Sequence, residues 1–385
     1  MKVAMLSHLA STSAPTGAER VLELLARELG TRGHRVAVSA PGRWGLASGL
    51  EAAKVEVRSI PVRCCWLVQA DRQPSWRQVV RGVRFLLPDP GIRGLRAFFA
   101  DFDPDVVHVN CLPHLRGAAV ARASGYPVVW HVHEILPPGR RRRWFASRLR
   151  RDASRIVAVS NAVAEWLREE GLDDLVDVVH NGVETPETMP ERAAVRAAFG
   201  LPEGACVVGL FSQLVEHKGA LDFVRAAHQS GLENPHLWYL IAGHGPAGFA
   251  ERLQNAITKG PATDRIRLVP PQPEIWPLLA AVNVAAITTL WPDPLPRVVM
   301  EAMAAGKPVV GYAGGGVPEM VVDSETGLLC RPGDVDGLAA VFGRLAEDDD
   351  LRRRMGEAGR HRARDLFSVE RHVDRMEAVL QAAAR

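Results

Sequence analysis

The fold class this sequence predicts is α/β: two Rossmann-like, doubly wound parallel-sheet domains facing across a cleft. Three observations predict it. Short β-branched runs alternate with helical patterns along the chain, a segment rich in Pro and Glu divides them into two series, and 385 residues suffice for two or three domains. The composition, 47% hydrophobic, 24% charged and 6% aromatic, excludes collagen-like, low-complexity and largely disordered classes.

The elements follow in order. KVAMLS is a short apolar run, and AERVLELLARELGTRG after it has apolar residues at helical spacing and ends on Gly30 and Gly33. RVAVSA, DVVHVN, PVVWHVH and RIVAVS read as buried parallel strands. VETPETMPERAAVRAAFGLPEG is the linker with an entry helix, and CVVGLFS, LWYLIAG, RIRLVP, VNVAAIT and KPVVGYA repeat the strand pattern. SVERHVDRMEAVLQAAA closes as an amphipathic helix expected to cross back to the first domain. The expected domains are 1–183 with 368–385, and 184–367. Ligands of such sheets bind at the carboxyl ends of the strands, so the cleft is the expected site.

The start of the chain, MKVAMLSHLAS, has too short an apolar run for a signal peptide, and nowhere do 18 uninterrupted apolar residues occur. Cys64, Cys65, Cys111, Cys206 and Cys330 lack metal-ligand spacing, which predicts a reduced, cytoplasmic protein. The net charge of +3 hides a contrast, +8 over residues 1–183 and −5 beyond. Most of the basic excess lies in Arg140 to Arg155, eight arginines against Asp152. That block reads as a solvated helix, a peripheral patch on anionic membrane at the inner face of the cell with Trp144 and Phe145 at the interface, or a site for a phosphorylated acceptor. Nucleic acid is the weakest reading, because no binding motif accompanies the charge.

GHGPAG at 243–248 matches the dinucleotide glycine pattern, but Asp264, at the expected acidic spacing, precedes its strand rather than ending it. A strand-to-helix turn, or a backbone approach to a nucleotide at Gly243, remains. Asp101 and Asp103 offer too few oxygens for a hard cation, and no GxSxG, HExxH or P-loop occurs. The densest signals lie at 288–327. Pro296 suits the first position of a helix whose Arg297 and Val298 amides would face an anion. Glu301, one turn inside, suits vicinal hydroxyls, and Asp293 a sugar hydroxyl; the plain alternatives are a solvated face residue and a capping acid.

The run PDPLPRVVMEAMAAGKPVVGYAGGGVPE, with QLVEHKG at 213–219 and HNGVE at 180–184, resembles the retaining glycosyltransferases of the GT-B fold, family 4 (glycosyl transferases group 1). The resemblance implies transfer of a sugar, with retention, from a nucleoside-diphosphate sugar to a hydroxyl of a glycan, lipid or small molecule, with no metal and no cofactor. It places Lys218 on the donor diphosphate, Glu301 on the ribose, Asp293 by the donor sugar and Leu295, Pro296, Arg297 and Val298 in the phosphate-cradling turn. Gln213 stands beside the diphosphate where the family commonly has arginine, and the backbone after Pro270 would meet the base. Thr16-Gly17-Ala18-Glu19 maps onto the first glycine-rich loop, with Gly17 open to donor and acceptor and Glu19 on the acceptor side. His133 maps onto the acceptor-side histidine, with His131 as competitor and Glu134 orienting either ring. Only five lysines stand against 42 arginines, so Lys218 is conspicuous. The rival functions are an epimerase or hydrolase of sugar nucleotides on the same fold, and a catalytically weak sugar-binding subunit.

Overall fold

The computed structural model describes residues 1–11, 15–65, 85 and 87–385. They form two compact units, Met1–Gly182 with Val369–Arg385, and Val183–Ser368.

The amino-terminal unit is built on seven parallel strands: β1 (Lys2–Leu6), β2 (Arg35–Ala40), β3 (Glu56–Ser59), β4 (Val106–Asn110), β5 (Val128–Val132), β6 (Arg155–Ala158) and β7 (Val176–Val178). Their order is β3-β2-β1-β4-β5-β6-β7. The central strands are buried on both faces, as their unbroken apolar runs require. Successive strands step outward in both directions from β1 and β4, and between those two the order reverses.

The 17–31 helix starts where Thr16 caps it and Glu19 returns the bond to the Thr16 amide. Its Leu22, Leu25 and Leu29 pack with Val3, Val36 and Val129. The closing helix, Val369–Ala384, belongs to this unit and drives Val373, Met376 and Leu380, each fully buried, into the same core.

The carboxyl-terminal unit repeats the scheme with six parallel strands: β8 (Cys206–Phe211), β9 (Leu237–Ala242), β10 (Ile266–Val269), β11 (Val284–Ile287), β12 (Val309–Tyr312) and β13 (Gly327–Cys330). The order is β10-β9-β8-β11-β12-β13, so the reversal falls between β8 and β11, which pair through Val208 and Val284. Arg196 of the entry helix is a buried clamp. Its guanidinium donates to the carbonyls of Ala281, Pro202 and Ala205 and to Asn283 Oδ1, closing the start of β8 onto the start of β11.

Three strands lie outside the sequence expectation, β3, β7 and β13. No helix among the described residues is long and apolar enough to cross a membrane.

Candidate functional site

In open parallel sheets, loops leaving neighbouring strands on opposite sides of the reversal splay apart and leave a crevice. In the carboxyl-terminal unit those are the loops after β8 and after β11, and they carry Lys218 and Asp293. The two residues are 75 positions apart in the chain, yet Lys218 Nζ donates to Asp293 Oδ2 at 2.6 Å. Both side chains are mostly buried, with relative exposures of 22% and 13%. An ammonium has three donors, and this bond uses one.

Backbone chemistry explains the meeting. The 216–218 turn ends on Gly219 at φ +68°, a left-handed conformation, and a Cβ there would collide with the Thr288 carbonyl. Thr288 Oγ1 donates to the Lys218 carbonyl at 2.9 Å, and the Leu290 amide to the His217 carbonyl at 2.8 Å. The β8 loop is thereby stitched to the β11 loop. On the other side Gly315, at φ +59°, lies against the backbone of Asp293, whose carbonyl accepts the Gly316 amide at 2.8 Å. The glycine run at 314–316 thus seats Asp293.

The 297–304 helix follows directly. Pro296 is its N-cap, one position earlier than expected, and no side chain caps the helix. Leu295 is buried beneath this turn. Arg297 Nε donates to Glu301 Oε1 at 2.7 Å, an i,i+4 pair on one helix face. Sequence reading assigned Arg297 only its amide; opposite charges four apart were the signal for this contact. Gln213 is exposed beside β8. Pro270 stands past β10, two strands from the reversal, and its carbonyl accepts Gln272 Nε2 at 2.9 Å. Gly243 is glycine because a Cβ would collide with the Ser212 carbonyl, and the Leu214 amide bonds the His244 carbonyl at 2.8 Å. GHGPAG is therefore a tight turn packed against the β8 loop.

In the amino-terminal unit the reversal between β1 and β4 is flanked by the 17–31 helix. Gly17 is exposed, with open space where a Cβ would stand. Glu19 is not directed at a ligand: its buried carboxylate accepts from the Ser11 amide and hydroxyl, both at 2.8 Å, from Thr16, and from Trp44 Nε1 at 3.1 Å. Burial pushes this carboxyl up, but the bonds from Thr16 and Ser11 outweigh it and hold it below the usual range.

His131 and His133 are not equivalent. His131 is fully buried in β5, its Nδ1 3.3 Å from Nε2 of His108. His133 lies past the strand end, half-buried, its ring 4.1 Å from that of His131 between centroids. Burial holds both rings neutral, well below the usual histidine pKa. Glu134 orients neither ring. Its carboxylate takes the amides of Leu112 at 3.2 Å and His133 at 3.0 Å, joining the exits of β4 and β5. Burial pushes it up to about 7 against those bonds.

The arginine block forms the 140–152 helix. Phe145 is fully buried, whereas Trp144, which meets it edge-on, is half-buried with the Arg148 guanidinium 5.2 Å from its ring centre. Arg142 pairs with Glu169 and Glu170, Arg150 with Asp174 and Arg151 with Asp152. Asp101 pairs with Arg58 and Asp103 with Lys2.

Comparison with known proteins matches residues 191–362 to the family described as glycosyl transferases group 1, and residues 15–187 to glycosyltransferase family 4. An MMP alpha-(1->4)-mannosyltransferase of Mycolicibacterium hassiacum is 28% identical over 100% of this chain and 98% of that protein. A D-inositol 3-phosphate glycosyltransferase of Nocardia farcinica is 33% identical over 53% of this chain and 48% of its own. The crystal structure of Anabaena HepE in complex with UDP-glucose superposes with a TM-score of 0.82 at 24% identity, covering 99% of this chain and 100% of that one.

Proposed function

Because the chain belongs to the group 1 glycosyltransferases of family 4, with their GT-B fold, we propose that it moves a sugar, with retention, from a nucleoside-diphosphate sugar to an acceptor hydroxyl. The observation that carries this reading is the Lys218–Asp293 pair at the sheet reversal, beside the uncapped amino terminus of the 297–304 helix. Lys218 and the amides of Arg297 and Val298 bind the diphosphate, and their charge is worth most when the glycosidic bond to phosphate breaks. Asp293 accepts a hydroxyl of the transferred sugar and Glu301 the ribose hydroxyls, with Arg297 holding the Glu301 carboxylate in place.

In this reaction the acceptor oxygen bonds the anomeric carbon as the carbon–phosphate oxygen bond breaks. The acceptor proton passes to an oxygen of the departing diphosphate, so the step requires neither a protein nucleophile nor a metal. The amino-terminal unit binds the acceptor, with His133, neutral, as a hydrogen-bond partner of sugar hydroxyls. Exposed Arg140 and Arg143 serve anionic groups, an acidic acceptor or lipid head groups.

Isothermal calorimetry of wild type and Glu301→Ala with UDP-glucose and GDP-mannose tests the donor site. Loss of binding in the variant is expected, and undiminished binding removes the assignment. Nuclear magnetic resonance of the product fixes its anomeric configuration, and an inverted product overturns retention. Nucleotide release that needs no acceptor would favour a hydrolase.

A further inference from the structure

Trp291 is the only exposed tryptophan among the described residues, at 51%. It stands four residues beyond β11, on the loop that holds Asp293. One of its faces is covered: the His217 ring lies 4.6 Å away between centroids, with the planes 14° apart. The backbone bond from Leu290 to His217 ties the two loops at the same place. The indole is therefore held in a set orientation, one face backed by an imidazole. An apolar surface kept in water against the hydrophobic effect is a mark of a binding face.

Its surroundings name the occupant. Lys218 follows His217 directly and Asp293 is two residues past Trp291, so the aromatic platform is carried by the same two loops that form the ammonium–carboxylate pair. A pyranose ring has the matching two-sided chemistry. Its axial C–H bonds form an apolar face that suits the negative face of an indole, and its hydroxyls project sideways to charged partners. We infer that Trp291, backed by His217, is the stacking platform for the sugar ring of the donor, setting the tilt of that ring while Lys218 holds the diphosphate. The inference rests on the donor-site reading above. It adds a residue that determines how tightly the sugar, as distinct from the nucleotide, is held.

The test is calorimetry on the full chain with UDP, UDP-glucose, GDP and GDP-mannose, comparing wild type, Trp291→Ala and Trp291→Phe. Trp291→Ala should weaken the sugar nucleotide by about tenfold and leave the bare diphosphate within about twofold, while Trp291→Phe keeps most of the affinity. Retained diphosphate binding also reports that the variant is folded. Equal losses for both ligands, or none for either, overturn the inference, because Trp291 would then hold the loop or do nothing. A rise confined to the acceptor KM, with donor affinity unchanged, overturns it as well. Lys218→Ala isolates the underlying reading: if that variant binds UDP like wild type, the diphosphate assignment fails while the Trp291 comparison stands. Wild type that binds none of the four ligands overturns both.

Discussion

Lys218 was conspicuous in the sequence because a chain so biased toward arginine kept a lysine there. What the sequence did not reveal was its partner, since contact across 75 residues depends on two loops leaving adjacent strands. Gly219 makes that contact possible, so Gly219→Ala should act on Lys218 without touching it. The left-handed backbone alone costs about 1 kcal/mol for an alanine, and the collision with the Thr288 carbonyl adds to it. The expected outcome is a lowered melting temperature together with weakened sugar-nucleotide affinity, read by scanning fluorimetry with and without UDP-glucose. Glu19 and Glu134 were misread for a common reason. A carboxylate near a glycine loop or a histidine looks like a ligand group in sequence, and only the fold shows that donors of the protein itself already occupy it. Glu19→Ala should therefore destabilise the amino-terminal unit by about 3 kcal/mol, since it strands buried donors of Ser11, Thr16 and Trp44, and the measurement is urea unfolding.

Ten of the thirteen strands among the described residues were legible as apolar runs, and the three that were not, β3, β7 and β13, are all edge strands. Such a strand has a neighbour on one side only, so much of it stays half-exposed and its sequence, EVRS or VDV, lacks an unbroken β-branched run. The 297–304 helix was placed to within a residue, because a proline before an apolar 3.6-residue pattern is a strong start signal. The 140–152 helix was placed well, and of its two aromatic residues only Phe145 turns fully inward. Charge shows in sequence, whereas the inward turn of Phe145 depends on which face the sheet covers. With that ring in the core and Trp144 half-buried, attraction to anionic lipid is expected to be chiefly electrostatic. Co-sedimentation with phosphatidylglycerol vesicles should vanish at about 1 M salt, where screening reaches about 3 Å, and in Arg140→Glu/Arg143→Glu. Salt-resistant binding would overturn that expectation and point to Trp144 at the interface.

At the scale of the molecule the buried histidines set a pH limit. His8 and His114 are pulled down to about 4 and His108 to about 3, chiefly by burial. His372 also falls to about 4, and His131 and His133 lie well below their usual value. All six belong to the amino-terminal unit. The unfolded chain binds these protons near pH 6.5 and the folded unit does not, so stability falls as pH drops from 6.5 toward about 4. A histidine pulled down to about 4 costs about 2 kcal/mol at about pH 5. Glu134, raised to about 7, works the other way, gaining stability as pH falls through the same window, but it is one group against six. Calorimetric scans from pH 7.5 to about 5 should show the transition of the amino-terminal unit collapse while that of Val183–Ser368 persists; parallel decline of both would refute the assignment.

The closing helix carries another consequence. Because Val369–Ala384 completes the core begun by β1, the carboxyl-terminal unit is threaded into the amino-terminal one as an insertion. During synthesis the order of completion is therefore reversed. Residues 183–368 can finish folding on the ribosome while the earlier-made unit still waits for its last helix, so a stop at Ser368 should leave the second unit native and the first one protease-sensitive.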